Sequence, residues 1–114
     1  MYDWAKHLMV DFDGVINSYV SGYNHGQLSD PPMEGAVRAL EQLVSNGFRY
    51  TVFTTRMALT DNPARTKLEI LGWLERHGFP APEDVTAEKR PALVYIDDRA
   101  RRFTNWEDVR KTYA

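Results

Sequence analysis

The sequence predicts a single α/β domain, a three-layer Rossmann-like fold built around a parallel sheet. Three observations lead there. Short apolar and β-branched runs alternate with stretches of helical period, the pattern of strand–helix–strand units. Three of those runs, Leu8-Met9-Val10, Tyr50-Thr51-Val52-Phe53 and Leu93-Val94-Tyr95-Ile96, end in polar residues on the carboxyl side. The chain has 114 residues, enough for one packed core and too few for a second, so residues 1–114 form one domain.

Residues 7–12 are the first strand, an apolar run that closes on Asp11-Phe12-Asp13-Gly14. From Gly14 to Pro32 the chain reads as a loop or hairpin, rich in Asn, Ser and Gly and ended by Asp30-Pro31-Pro32. Tyr19, Val20 and Tyr23 are candidates for short strands inside it. A loop of this length in a small domain is usually functional or mobile, and its position lets it cover the end of the first strand.

Residues 34–46 carry Val37, Leu40, Leu43 and Val44 at helical spacing, with Glu34 in the first turn and Gly47 as the stop. The second strand follows over Phe48–Thr54 and runs into Thr54-Thr55-Arg56. Asn62 is placed to cap a helix whose first residue is Pro63. Its apolar face is expected from Leu68, Ile70, Leu71, Trp73 and Leu74, and it ends at His77-Gly78. Trp73 at this spacing reads as a core residue. Asp84 to Ala87 is a short edge strand, and Leu93–Ile96 is the last strand, leading directly into Asp97-Asp98. A short helix is expected at 106–112.

Composition narrows the function classes. A hydrophobic fraction of 43% and a charged fraction of 26% are those of an ordinary globular domain. A net charge of −2 argues against a general phosphate-backbone binder. Without cysteine there are neither disulfides nor thiolate metal sites. No apolar segment approaches the roughly 20 residues of a membrane span, and Met1-Tyr2-Asp3-Trp4 does not resemble a signal segment. A cytoplasmic protein with no membrane association is the expectation.

Right-handed crossovers place parallel strand ends on one edge of the sheet. With the order last strand, first strand, second strand, then 84–87, the polar ends Asp11/Asp13, Thr54/Thr55/Arg56 and Asp97/Asp98 face one crevice. Crowded carboxylates raise one another's pKa unless a cation sits among them. Oxygen donors with neither His nor Cys suit Mg²⁺, which takes one or two carboxylates plus phosphate oxygens. Thr54, with the cations of Lys89 and Arg56, would complement a phosphoryl group. Asp11 is then a nucleophile toward phosphorus and Asp13 a proton donor and acceptor.

In this order and combination, Val10-Asp11-Phe12-Asp13-Gly14, Val52-Phe53-Thr54, a basic residue at Lys89 or Arg90, and Tyr95-Ile96-Asp97-Asp98 resemble the haloacid dehalogenase superfamily of phosphohydrolases. The resemblance covers most of the chain. It implies a cap-less domain with only a short loop or hairpin insert after the first strand, and an aspartyl-phosphate intermediate on Asp11. It further implies Asp13 as acid/base, Thr54 on a phosphoryl oxygen and Lys89 as the basic residue. Mg²⁺ would be held by Asp11, the Asp13 backbone carbonyl and Asp97 or Asp98. Thr54-Thr55-Arg56, Asp61-Asn62-Pro63 with Trp73, and Asp97-Asp98-Arg99 look like the 3′-phosphatase domain of phage-type polynucleotide kinases. Short cap-less bacterial and phage members of the superfamily are similar too. On these likenesses Thr55, Arg56, Arg90 and Arg99 are candidate substrate contacts. The expected partner is a phosphorylated substrate, either a nucleotide, a nucleic-acid end or a small molecule, and a homodimer is an open possibility.

The sequence departs from the superfamily pattern at the third motif, where lysine often directly precedes proline. Here Arg90 precedes Pro91 and Lys89 lies one further back. No G-x-x-x-x-G-K-[ST] occurs, so a P-loop kinase activity is not expected, and no G-x-G marks a dinucleotide site. Gly14 comes too early for an EF-hand loop. A response-regulator receiver needs its aspartate on the middle strand, where this chain has Thr54-Thr55-Arg56. His7, His25 and His77 lack ligand spacing, and only His25, on the long loop, is placed to meet a substrate. A domain that keeps the fold as a silent binding or assembly module is the alternative from another class.

Overall fold

The run His7–Asp11 forms β1, an inner strand of a four-stranded parallel sheet in the computed structural model, which describes residues 3–114. Met1 and Tyr2, read above as part of the amino terminus, lie outside the described residues. The other strands are β2 (Arg49–Phe53), β3 (Val85–Thr86) and β4 (Val94–Ile96), in the order β3-β2-β1-β4. This is the order expected from right-handed crossovers. Helices are α1 (Ala36–Ser45), the single turn α2 (Arg56–Leu59), α3 (Pro63–Arg76) and α4 (Trp106–Tyr113). No helix among the described residues is long and apolar enough to cross a membrane.

The register assigns the faces. Leu8, Val10, Tyr50, Val52 and Val85 lie across from one another in parallel pairs, so their side chains share one side of the sheet. They form one buried cluster with Leu40 of α1 and Ile70, Trp73 and Leu74 of α3. Both crossover helices therefore pack on the same face. His7, Met9, Thr51, Phe53 and Tyr95 occupy the other face, where Phe53 and Tyr95 meet edge-to-face at 5.2 Å. That face is crossed by residues 87–93 on the way from β3 to β4. Arg90 shares a pocket there with His7 and Thr51. The expected third layer is thus replaced by a loop, because seven residues are too few for a crossover helix. The architecture is α/β with a parallel sheet and helices α1 and α3 on one side.

Local chemistry accounts for the element ends. Asn62 caps α3, its Oδ1 accepting the Arg65 N–H at 3.2 Å, and Pro63 occupies the first turn where no donor is needed. Leu68 does not join the apolar face of α3, being 70% exposed. The helix instead turns Ile70, Trp73 and Leu74 inward. Tyr19, Val20 and Tyr23 form no strand. Tyr19 has φ +62 and Asn24–Gly26 is a 3₁₀ turn, while the only pairing in the loop is the isolated bridges of Asn17 with Asp13 and Pro32. The loop is pinned to the core by Trp73, whose Nε1 donates to the Asp30 carbonyl at 3.2 Å.

Candidate functional site

The carboxyl ends of β1 and β4 bring Asp11, Asp97 and Asp98 together, with one carboxylate oxygen from each lying within 4.8 Å of the others. Asp11 is half-buried, and its Oδ1 accepts the Phe12 N–H at 2.8 Å. Burial pushes its carboxyl up to about 7. The Phe12 N–H opposes that rise, and the neighbouring Asp97 and Asp98 add to it. Such crowding is relieved by a cation, and an all-oxygen set suits a hard divalent ion. The residues present therefore fit Mg²⁺.

Gly14 makes the convergence possible. It has φ +83, and a Cβ built on it would overlap the Asp98 carboxylate. Only glycine lets the chain after β1 pass so close to the acidic pair.

The three carboxylates open into a cavity of about 500 Å³ that Asp13, Tyr19, Phe53, Thr55 and Arg99 also line. Asp13 is already engaged there. Its Oδ1 accepts from Asn17 Nδ2 at 3.0 Å, and its Oδ2 pairs with Arg56 Nε at 2.7 Å. Its side chain is outside the acidic cluster. Arg56 is 6% exposed, donates Nη1 to the Gly26 carbonyl at 3.2 Å, and lies against the rings of Phe12, Tyr19 and Tyr23. It lines a second cavity, of about 600 Å³, shared with Tyr23, His25 and the start of α3. The Asp13–Arg56 pair thus forms a wall between two cavities, with Asp13 on the acidic side.

The remaining sequence candidates divide. Thr54 is buried, and its Oγ1 accepts the Arg56 N–H at 3.2 Å, so it shapes the turn after β2 while exposed Thr55 lines the cavity. Arg99 lines the cavity, and its backbone N–H donates to Asp97 Oδ1 at 2.8 Å. Lys89 stands outside the lining, its Nζ 5.8 Å from the centre of the Tyr95 ring. Arg90 does not reach this edge. Its guanidinium pairs with Asp84 at 2.9 Å and with Glu88, in the pocket beside His7 and Arg49 at the start of the strands. Arg90, expected as a substrate contact, is here tied to Asp84 and Glu88, apart from the acidic cluster. The Tyr95 hydroxyl holds the turn between them, accepting the Arg90 N–H at 2.6 Å and donating to the Arg90 carbonyl.

Asn17 and Tyr19 are site residues that sequence reasoning missed. Asn17 is buried, holds Asp13, and accepts the Gly14 N–H on its carbonyl at 2.8 Å. A polar residue in an Asn- and Ser-rich loop carries no distinguishing signal, and its burial arises only when the loop closes on Trp73. His25, the one histidine expected near a substrate, lines the second cavity.

Compared with known protein families, curated proteins and solved structures, the chain matches none.

Proposed function

We propose that the chain is a Mg²⁺-dependent phosphomonoester hydrolase of the haloacid dehalogenase type, acting through an aspartyl-phosphate on Asp11. The observation that carries this reading is the meeting of Asp11, Asp97 and Asp98 oxygens within 4.8 Å at the carboxyl edge of a parallel sheet. Burial, with Asp97 and Asp98 adding to it, raises the Asp11 carboxyl to about 7, which supports a reading in which a cation relieves the site. Asp11, Asp97 and Asp98 would hold the ion. When bound, it neutralises the crowded carboxylates and the phosphoryl oxygens.

An Asp11 oxygen attacks phosphorus, the ester P–O bond breaks, and the leaving oxygen takes a proton from Asp13, which must enter this step protonated, with one oxygen released from its Asn17 or Arg56 bond. Water then attacks the phosphoryl-aspartate, gives a proton to Asp13, and releases inorganic phosphate with Asp11 restored. Asn17 and Arg56 fix the direction of the Asp13 carboxylate. Thr55 and Arg99 line the space a phosphoryl group would fill. The proposed first substrate class is a 3′-phosphate on a nucleotide or nucleic-acid end, on the likeness of Thr54-Thr55-Arg56 and Asp97-Asp98-Arg99.

Two observations favour a second reading. Both Asp13 oxygens are occupied and Lys89 lies outside the cavity, as suits a cation-binding module without turnover. A panel of 3′-phosphorylated oligonucleotides, free nucleotides and sugar phosphates, assayed for phosphate release with Mg²⁺ and with EDTA, separates the two. Hydrolysis that needs Mg²⁺ supports the enzyme. Calorimetric Mg²⁺ binding with no release from any member supports the module.

A further inference from the structure

Tyr19 holds a backbone conformation that its side chain does not favour. Its φ is +62, in the left-handed region where a bulky residue is an outlier. The conformation is enforced from both sides. The Tyr19 N–H donates to Asn17 Oδ1 at 3.3 Å, and the Tyr19 carbonyl accepts the Gly22 N–H at 3.0 Å. The Ser18 N–H donates to the Pro31 carbonyl at 3.0 Å. Ser21 is tied to buried Asp30 through its N–H at 3.1 Å and its hydroxyl at 2.6 Å. Asparagine or glycine would hold the same backbone with less strain, and strain of this kind gathers at ligand-binding sites.

The strained turn delivers the ring to the acidic cavity. Tyr19 lines the space that Asp11, Asp97 and Asp98 open into, and Phe53 at the end of β2 adds a second ring there. Phe53 is braced edge-to-face on Tyr95 at 5.2 Å. The Tyr19 ring lies 6.0 Å from the Arg56 guanidinium, which is itself buried and bonded to Asp13. The cavity, of about 500 Å³, falls in the range of about 300–1,000 Å³ typical of small-molecule pockets. It therefore has room for a leaving group beside an ion and a phosphoryl group. Asn17 links the two parts of this surface. Its Nδ2 donates to Asp13 Oδ1 at 3.0 Å while its Oδ1 accepts the Tyr19 N–H. One amide thus sets the tyrosine in register with the carboxylate assigned to the leaving oxygen.

We infer that Tyr19 is a substrate-contact residue whose ring stacks on a planar base carried by the leaving alcohol, so that the site selects phosphate esters of nucleosides over sugar phosphates. The inference rests on the phosphomonoester reading of the acidic cavity given above. An aromatic side chain stacks on any base through its π-face, and a ring already held in place loses little freedom in doing so. A sugar phosphate offers no such face.

Two ligands isolate the base. The 3′-methylenephosphonates of thymidine and of its abasic counterpart differ only there, and their P–C bond resists hydrolysis. In calorimetry with Mg²⁺, wild type and Tyr19→Phe are expected to bind the thymidine ligand about tenfold more tightly than the abasic one. Tyr19→Asn suits the backbone at φ +62, so it should retain the far-UV circular dichroism of wild type and bind the two ligands alike. Tyr19→Gly, equally suited to that φ, repeats the test with no side chain. Failure of wild type to prefer the thymidine ligand, a preference that survives Tyr19→Asn, or one lost in Tyr19→Phe would overturn the inference. Phosphate release from thymidine 3′-phosphate is measured alongside. Base preference without release would contradict the hydrolase reading and leave Tyr19 as a nucleoside-phosphate contact. Release without base preference would contradict the role of Tyr19 alone.

Discussion

Arg56 Nε lies 2.7 Å from Asp13 Oδ2, and this pair joins the turn after β1 to the turn after β2 across the carboxyl edge of the sheet. Arg56 is buried and Asp13 is only 19% exposed. The arginine sits behind the aspartate as seen from the acidic cavity, so its first task is to aim Asp13. Its aromatic surroundings of Phe12, Tyr19 and Tyr23 fix it in turn.

Removing one partner of such a buried pair strands the other. Arg56→Ala is expected to destabilise the fold by about 3 kcal/mol, read from urea unfolding. Asp13→Asn should cost less, since its one remaining oxygen can still accept from Arg56, although its new NH2 then faces the Asn17 donor. A double-mutant cycle should show strong coupling. Additive effects would mean the pair contributes nothing beyond its two side chains.

Asp11 sets a pH dependence with a definite sign. Its carboxyl is raised from 3.8 to about 7 in the folded chain, so the native state holds this proton more tightly than the unfolded state does. The contribution to stability is full below about pH 4 and is lost as pH rises through about 7. In EDTA, Asp11→Asn should be more stable than wild type at pH 8, and the difference should shrink toward pH 5. The His7 ring, lowered chiefly by burial, acts in the opposite direction but is common to both proteins and cancels in the comparison. Mg²⁺ should stabilise wild type at pH 8 by binding the native state, and Asp11→Asn far less.

Gly14→Ala tests the close approach to Asp98. Positive φ and overlap with the carboxylate together predict a loss of at least about 1 kcal/mol in unfolding free energy. A drop in Mg²⁺ affinity by calorimetry should accompany it, because Asp98 must move. Unchanged affinity would show that Asp98 is not a ligand.

Lys89 and Arg90 are separable by what each variant loses. Arg90→Ala removes a partner of Asp84. Although burial raises that carboxyl, Lys67, the Val85 N–H and Arg90 outweigh it and hold it down at about 2. The expected cost is about 1 kcal/mol in a partly exposed network, with turnover nearly unchanged. Lys89→Ala should leave stability alone and lower kcat/KM by roughly tenfold or more if its flexible stem carries the ammonium to a bound phosphoryl group.

Much of this arrangement was legible in the residues. Strands buried on both faces read as continuous apolar runs, so Leu8–Val10 and Tyr50–Phe53 stood out, and the handedness of crossovers ordered them. Asn62-Pro63 marked the start of α3 through local chemistry alone. The convergence of Asp11 with Asp97 and Asp98 followed from strand order. What depended on tertiary packing did not show. A single turn such as Arg56–Leu59 has no periodicity to detect, and the same residues read equally well as the tail of β2. Leu68 matched the helical pattern, yet the rotation of α3 that buries Trp73 leaves it in solvent. The Asp13–Arg56 and Asp13–Asn17 bonds link positions whose meeting no spacing rule encodes. Arg90 and Lys89 are adjacent in the chain, and only the folded turn, whose Arg90 backbone the Tyr95 hydroxyl holds, shows that Arg90 is the one tied to Asp84 and Glu88.

The most direct test of the central claim is p-nitrophenyl phosphate hydrolysis with Mg²⁺ by wild type and by Asp11→Asn. The account predicts turnover by wild type and at least a hundredfold loss in Asp11→Asn, the scale on which an enzyme depends on its nucleophile. Equal rates in the two proteins would contradict it.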